Sequence, residues 1–293
     1  MSAPARAWAW LRRNALPIYA GLAVAYMLIP IAVIALFSFG QTPKGKLTFA
    51  LDHGFTTEYW QTMFSIPELN DALTTSLRLA LFATLISTAI GTAMAIALVR
   101  HRFHGKRLAN LLIVIPMATP EVVIGASLLS MFIYYTFALG FTTLLIAHVM
   151  FSISFVVVVV RSRLIGFDRN LEEAAADLGA SPLTTFRTVT LPLLAPGIVA
   201  AALLAFALSI DDFVISNFNS GTTVTFPLYV YGVSLRGIPI QVNAIATLLF
   251  LIAVVAVGLV LFQQRRAEKM AAVQPEPEGG PLPLPATIHS TAS

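Results

Sequence analysis

Six apolar runs, at 15–37, 72–99, 109–135, 141–160, 193–215 and 242–262, constrain this chain more than any other feature. Each is close to the ~20 residues that a helix needs to cross the hydrocarbon core of a bilayer. No water reaches backbone N–H and C=O groups in that core, so a spanning segment must satisfy its own hydrogen bonds, as a helix does. The expectation is an all-α membrane protein with six transmembrane helices. Composition agrees, since 57% hydrophobic against 11% charged residues and a mean hydropathy of +0.82 leave too little polar surface for a dissolved globule. The first run follows Arg6, Arg12 and Arg13, as a secretory signal would. Its apolar stretch outruns a signal core and no small-x-small cleavage site follows, which predicts a retained anchor.

Lys and Arg close to span ends mark the cytoplasmic side of a membrane protein. Arg6, Arg12 and Arg13 in the first tail share a side with Arg100, Arg102, Lys106 and Arg107, with Arg161, Arg163, Arg169 and Arg187, and with Arg265, Arg266 and Lys269. The other side carries only Lys44, Lys46 and Arg236, while Arg78 falls inside a span. Both termini are therefore expected in the cytoplasm. The segmentation that results is an N-terminal cytoplasmic tail at 1–14, the anchor at 15–37, an extracytoplasmic loop at 38–71, a five-helix core at 72–263 with a cytoplasmic loop at 161–192, and a basic tail at 264–293. After Met270 that tail turns to Pro, Glu, Gly and Ala, which cannot bury a core, and disorder is expected. The net charge of +4 is spread over loop ends and forms no stripe, so nucleic acid is not an expected partner. The absence of cysteine excludes disulfides, thiolate metal ligands and a cysteine nucleophile.

The polar island 161–192 is punctuated like structure, not like a linker. Asn170 stands where an N-cap belongs, with Glu173 three residues on to reach back to the backbone, and Gly179 supplies a left-handed residue to end the helix. Ser181 and Pro182 restart the chain as a second helix, because a first-turn proline gives up an N–H that the helix does not use. Phe186 and Val189 then share a face. The sequence predicts a helix-turn-helix knob.

Charges inside spans are costly and mark function. At about 1.5 Å rise per residue, Glu121 is expected roughly 18 Å along the third span, Asp211 and Asp212 roughly 27 Å along the fifth, and Arg78 roughly 9 Å in from the outer end of the second. In one reading Arg78 neutralises an acid while the others face water or cap a helix end. In the other, three acids against one base leave a surplus of negative charge that suits a cationic substrate, with Asp212 the leading candidate because neighbours on a helix point about 100° apart. Pro116 and Pro120 remove backbone donors beside Glu121, which predicts a kinked or broken third span with carbonyls freed toward a cavity, or a simple packing kink. Tyr134, Tyr135, Tyr229 and Tyr231 suit either ammonium stacking or an interfacial belt. His148 is expected to make a hydrogen-bonded helix contact.

Gly40-Gln41-Thr42-Pro43-Lys44-Gly45-Lys46-Leu47 approaches the phosphate loop G-x-x-x-x-G-K-[ST] but puts Leu47 where a magnesium-binding hydroxyl is required, and no buried strand precedes it. No other nucleotide site, metal cluster or nucleophile–base set is present in the sequence. No cofactor and no enzymatic activity are expected, and energy must come from another polypeptide.

Glu173-Ala174-Ala175, three residues, Gly179, nine residues, then Val189-Thr190-Leu191-Pro192 resembles the coupling loop of ABC-importer permeases. The stretches 116–123, 209–216, 226–228, 231–237 and 243–247 are similar to the spermidine/putrescine branch of those permeases, and the resemblance covers roughly residues 70–263. It implies a type I ABC-importer permease fold and polyamine uptake across a bacterial inner membrane by alternating access. Implied partners are a dimer of cytoplasmic ATPases, a second homologous permease subunit, an extracytoplasmic polyamine-binding protein and the surrounding lipid. Glu173, Ala174, Ala175, Gly179, Val189, Leu191 and Pro192 would couple to the ATPase; Asp212, Asp211, Glu121 and Tyr231 would line the substrate pathway. Permeases for iron, sulfate or phosphonate share much of this framework and stand as the alternative cargo class. An ATP-independent secondary transporter is a third possibility; it would be expected to show two related halves, which this sequence lacks, and a non-transporting scaffold would leave the acids in the spans without a role.

Overall fold

The computed structural model describes residues 3–40, 54–166, 168 and 170–273. Residues 41–47 of the phosphate-loop decoy, Arg169 and the Pro-rich tail from 274 lie outside the described residues. Backbone hydrogen bonds among the described residues are met almost wholly within helices, with one isolated antiparallel bridge between Gly40 and Phe55. The chain divides into two units, Phe39–Val242 and the pair of segments Met1–Ser38 and Asn243–Ser293.

The two-segment unit holds α1 (Ala3–Phe37), whose apolar stretch runs Asn14–Phe37, and all but the first turn of α12 (Ile240–Val273), whose apolar stretch runs Ile240–Val260. Ser38 returns its hydroxyl to the Ala35 carbonyl at 2.6 Å where α1 ends, and the Arg266 guanidinium lies 4.4 Å from the centre of the Phe262 ring beyond the apolar stretch of α12.

In the larger unit, a short α2 (Glu58–Gln61) precedes α3 (Pro67–Arg100), which starts on a proline whose fixed φ suits a first helical turn. At 34 residues α3 is about 51 Å long, well beyond the ~30 Å hydrocarbon core, so its polar ends project past it. It packs against α6 (Phe141–Ile165) and α9 (Leu191–Asp211), and these three form the centre of the unit. Apolar burial cannot favour protein over lipid tails, so close approach through small residues does the work. Ala95, Ala201 and Ala205 are fully buried among Leu98, Ile113, Val156, Val157 and Val160. A Cβ on Gly91 of α3 would lie 2.6 Å from Val156 Cγ1 of α6. Gly91→Val is therefore expected to cost about 1–3 kcal/mol by overpacking, seen as a lower unfolding temperature of the detergent-solubilised protein; an unchanged transition would contradict this helix contact.

Two expected spans are interrupted. The third is a bent pair, α4 (Lys106–Ala118) and α5 (Glu121–Tyr134), set at 112°. Proline stereochemistry explains the break: Thr119, preceding Pro120, is pushed to extended ψ 135°, and its N–H and hydroxyl both return to the Ile115 carbonyl at 3.0 and 2.7 Å. The elbow borders a cavity of about 590 Å³ lined mostly by apolar side chains, among them Leu112, Pro116, Val123 and Met150. Distances counted along a straight third span therefore do not apply to Glu121.

The fifth run does not continue to 215. Its helix begins at α8 (Pro182–Thr185), passes through a π-helical turn, Phe186–Thr190, into α9, and stops at Asp211. Asp212 is extended, and α10 (Val214–Asn219) follows as a separate element. The reason is local competition for donors, since the Asp212 carboxylate takes the Ile215 and Ser216 N–H groups that start α10. A tight turn leads on to α11 (Phe226–Ser234); in it Gly221 has φ +57° and a Cβ there would meet the Leu139 carbonyl oxygen at 2.6 Å, so only glycine fits. The Phe226 N–H at the start of α11 donates to Ser76 of α3 at 2.8 Å.

Candidate functional site

Two constellations hold the residues that the sequence singles out. The first is the knob, α7 (Asn170–Asp177) followed by α8 and the π-helical turn. Its C-terminus closes with a paired motif: Ala180 N–H donates to the Ala175 carbonyl at 3.0 Å and Gly179 N–H to that of Ala176 at 2.9 Å, with Gly179 at φ +85°. Ser181 caps α8 as expected, accepting from Thr184 N–H at 3.3 Å. The other end differs. Asn170 is the first helical residue, not the cap, and the Asp168 carboxylate accepts its N–H at 3.0 Å. An Asp two residues ahead closes the same kind of local ring as a capping box and spares Glu173 that role.

Glu173, Ala174, Gly179, Leu191 and Pro192 are exposed, with Ala175 and Val189 partly covered. Beside them Leu178 is 89% exposed and Leu171 and Leu183 are also open, giving the knob an apolar crown outside the spanning runs. The acid that the sequence reading passed over is Glu172. Its Oε1 accepts from Arg100 Nη2 at 2.9 Å and from Thr190 Oγ1 at 2.6 Å. Nothing in the local pattern separates Glu172 from Glu173, because both partners come from other helices.

The second constellation is formed by the two helix breaks. α10 packs on α5, with Asn219 Nδ2 donating to the Gly125 carbonyl at 3.3 Å, and a Cβ on Gly125 would meet Phe218 at 2.8 Å. Thr143 of α6 donates to the Asn219 carbonyl at 2.8 Å. This packing puts Glu121, the first residue of α5, within electrostatic range of Asp211 and Asp212. Their surroundings differ. The side chains of Asp212 and His148 are 6% and 2% exposed, with Asp212 Oδ2 lying 3.4 Å from His148 Nε2. The imidazole also meets Ser209 Oγ at 2.8 Å through Nδ1 and Ser216 Oγ at 3.0 Å through Nε2, joining α6 to the elements on both sides of the break. Glu121 and Asp211 are exposed residues. Tyr231 is 53% exposed, and its ring lies 4.8 Å from that of Phe213, next to Asp212.

Arg78 is exposed and has no acid within ion-pair distance among the described residues, so the neutralising role considered for it is not seen; His148 stands beside Asp212 instead. Among the described residues no group of three or more His, Asp or Glu is arranged to hold a metal ion.

Comparison with known proteins gives a consistent result. The family described as "Binding-protein-dependent transport system inner membrane component" matches residues 87–269. The spermidine/putrescine transport system permease protein PotC of Haemophilus influenzae is 38% identical over 236 residues, covering 80% of this chain and 90% of that protein. The putrescine transport system permease protein PotI of Escherichia coli strain K12 is 36% identical over 257 residues, covering 85% and 90%. Among solved structures, a bacterial ABC transporter that imports the acidic polysaccharide alginate superposes with a TM-score of 0.61 at 17% identity, covering 90% of this chain and 99% of that one. At that identity the likeness is one of fold.

Proposed function

The chain belongs to the family of binding-protein-dependent transport system inner membrane components, and from that premise we propose that it is the permease subunit of an ATP-driven importer of polyamines. It is a multi-pass protein of the bacterial inner membrane and a transport subunit, so ATP hydrolysis falls to a separate polypeptide. The observation that carries the substrate reading is the gathering of Glu121, Asp211 and Asp212 at two helix breaks, with His148 beside Asp212 alone. Exposed acids inside spanning segments are tolerated where they face water or a cation. Glu121 and Asp211 take the role of contacting an ammonium group, and Tyr231 supplies an aromatic face beside them. Asp212 positions the break.

Partners follow from the same premise. The knob, with Glu173, Ala174, Ala175, Gly179, Val189, Leu191 and Pro192, seats in a cytoplasmic ATPase dimer, and the termini lie on its side of the membrane, as the distribution of Lys and Arg supports. A second homologous permease completes the pore, and an extracytoplasmic polyamine-binding protein delivers the solute. ATP binding draws the knobs together and rocks the spans between outward and inward access.

The test is ATP-dependent uptake of labelled putrescine by the reconstituted complex, challenged with unlabelled di- and triamines, phosphonate or ferric ion. Competition by amines alone is expected. Competition by phosphonate or ferric ion alone would overturn the polyamine reading while leaving the importer reading intact.

A further inference from the structure

The Glu172 carboxylate joins its own helix to two other elements through one oxygen. Arg100 is the last residue of α3, Glu172 sits in the first turn of α7, and Thr190 ends the π-helical turn that leads into α9. The Arg100 and Glu172 side chains are 12% and 23% exposed, and Thr190 is buried, so the junction is largely closed to water. Glu173, one residue on, is exposed and has no ion pair or hydrogen bond among the described residues.

We propose that Glu172 is the positioning residue that couples the knob to the spans, a latch that makes α7 move as one body with the ends of α3 and α9. This rests on the importer reading given above. At eight residues α7 is shorter than the ~12–15 a helix needs to persist unaided, so its placement depends on tertiary tethers. Its packing partners are α8 and the π-helical turn, and its helix ends at the left-handed turn at Gly179. Without the latch a push on the exposed crown would tilt α7 on its loops. With it, the same push is delivered to two of the three helices at the centre of the larger unit. A charged acceptor suits this task because charge-assisted hydrogen bonds are roughly twice as strong as neutral ones. A π-helical turn, a feature frequent at functional sites, places Thr190 at the bond.

The experiment measures putrescine uptake and ATP hydrolysis on the same proteoliposomes, holding this chain with its partner permease, ATPase and binding protein. For Glu172→Ala, solute moved per ATP is expected to fall at least about fivefold while hydrolysis stimulated by the loaded binding protein persists. Thr190→Val, which removes the hydroxyl and keeps the shape, is expected to lower the ratio in the same direction, and Thr190→Ser to restore it. An unchanged ratio in both Glu172→Ala and Thr190→Val, or uptake and hydrolysis falling in proportion, would overturn the latch. Should Glu172→Ala reduce the yield, the Thr190 pair decides the matter by the same readout. A complex of unaltered subunits that takes up putrescine without ATP would overturn the importer reading itself, a result distinct from an unchanged ratio.

Discussion

Asp211→Asn in the reconstituted importer is expected to raise the putrescine concentration at half-maximal uptake about tenfold, with the yield of folded protein unchanged. The two adjacent acids lie in opposite environments. Asp211 ends α9 on an exposed residue, so losing its charge removes attraction for a cation and leaves no packing behind. Asp212 accepts from Ile215 and Ser216 N–H at 3.3 and 2.8 Å and lies beside His148. An amide there keeps one acceptor oxygen and turns a donor toward the groups that need an acceptor, at a cost of about 1–3 kcal/mol for a buried unsatisfied group. Asp212→Asn is therefore expected to lower the unfolding temperature and the yield first, with uptake lost in proportion to folded protein. Concentration-dependent uptake and a thermal unfolding curve on the same preparations separate the two. If Asp211→Asn transports normally while a fully folded Asp212→Asn loses affinity, the assignment of roles is reversed.

Gly179→Val is expected to reduce uptake by at least about tenfold while the protein still inserts, since a left-handed conformation costs an L-residue roughly 1–2 kcal/mol and a β-branched one more. A Cβ at this position meets nothing within 4 Å, so within this chain the effect is conformational. That penalty falls on a helix of eight residues whose last two carbonyl bonds, from Gly179 and Ala180, depend on the left-handed turn. Gly179→Asn is the discriminating control, because asparagine adopts this region several-fold more readily than most residues and should retain much of the uptake. Equal activity of the Val and Asn variants, measured at matched membrane content, would refute the backbone explanation.

Much of this was legible in the chain because the signals are local. A bilayer-length apolar run needs no partner to be recognised, and the runs at 72–99 and 141–160 correspond to α3 and α6. Pro120 announced the break beside Glu121, and Gly179 announced its left-handed turn, because both residues restrict or free their own φ. Local reading failed where two local solutions compete. Asp168 accepts the Asn170 N–H that Glu173 was expected to take, and Asp212 ends a run that the apolar pattern carries past two acids to Ile215.

The sequence by itself determined the helical class, the apolar spans and the position of the knob, since hydrocarbon solvation, proline geometry and capping act over a few residues. Only the tertiary structure decided which acid is exposed, which is held by His148, and that Glu172 ties the knob to the spans. Those outcomes depend on groups 61, 72 and 94 residues apart, His148 with Ser209, Arg100 with Glu172 and Asn219 with Gly125. Helix packing brings them within hydrogen-bonding distance, and no local pattern encodes such distances.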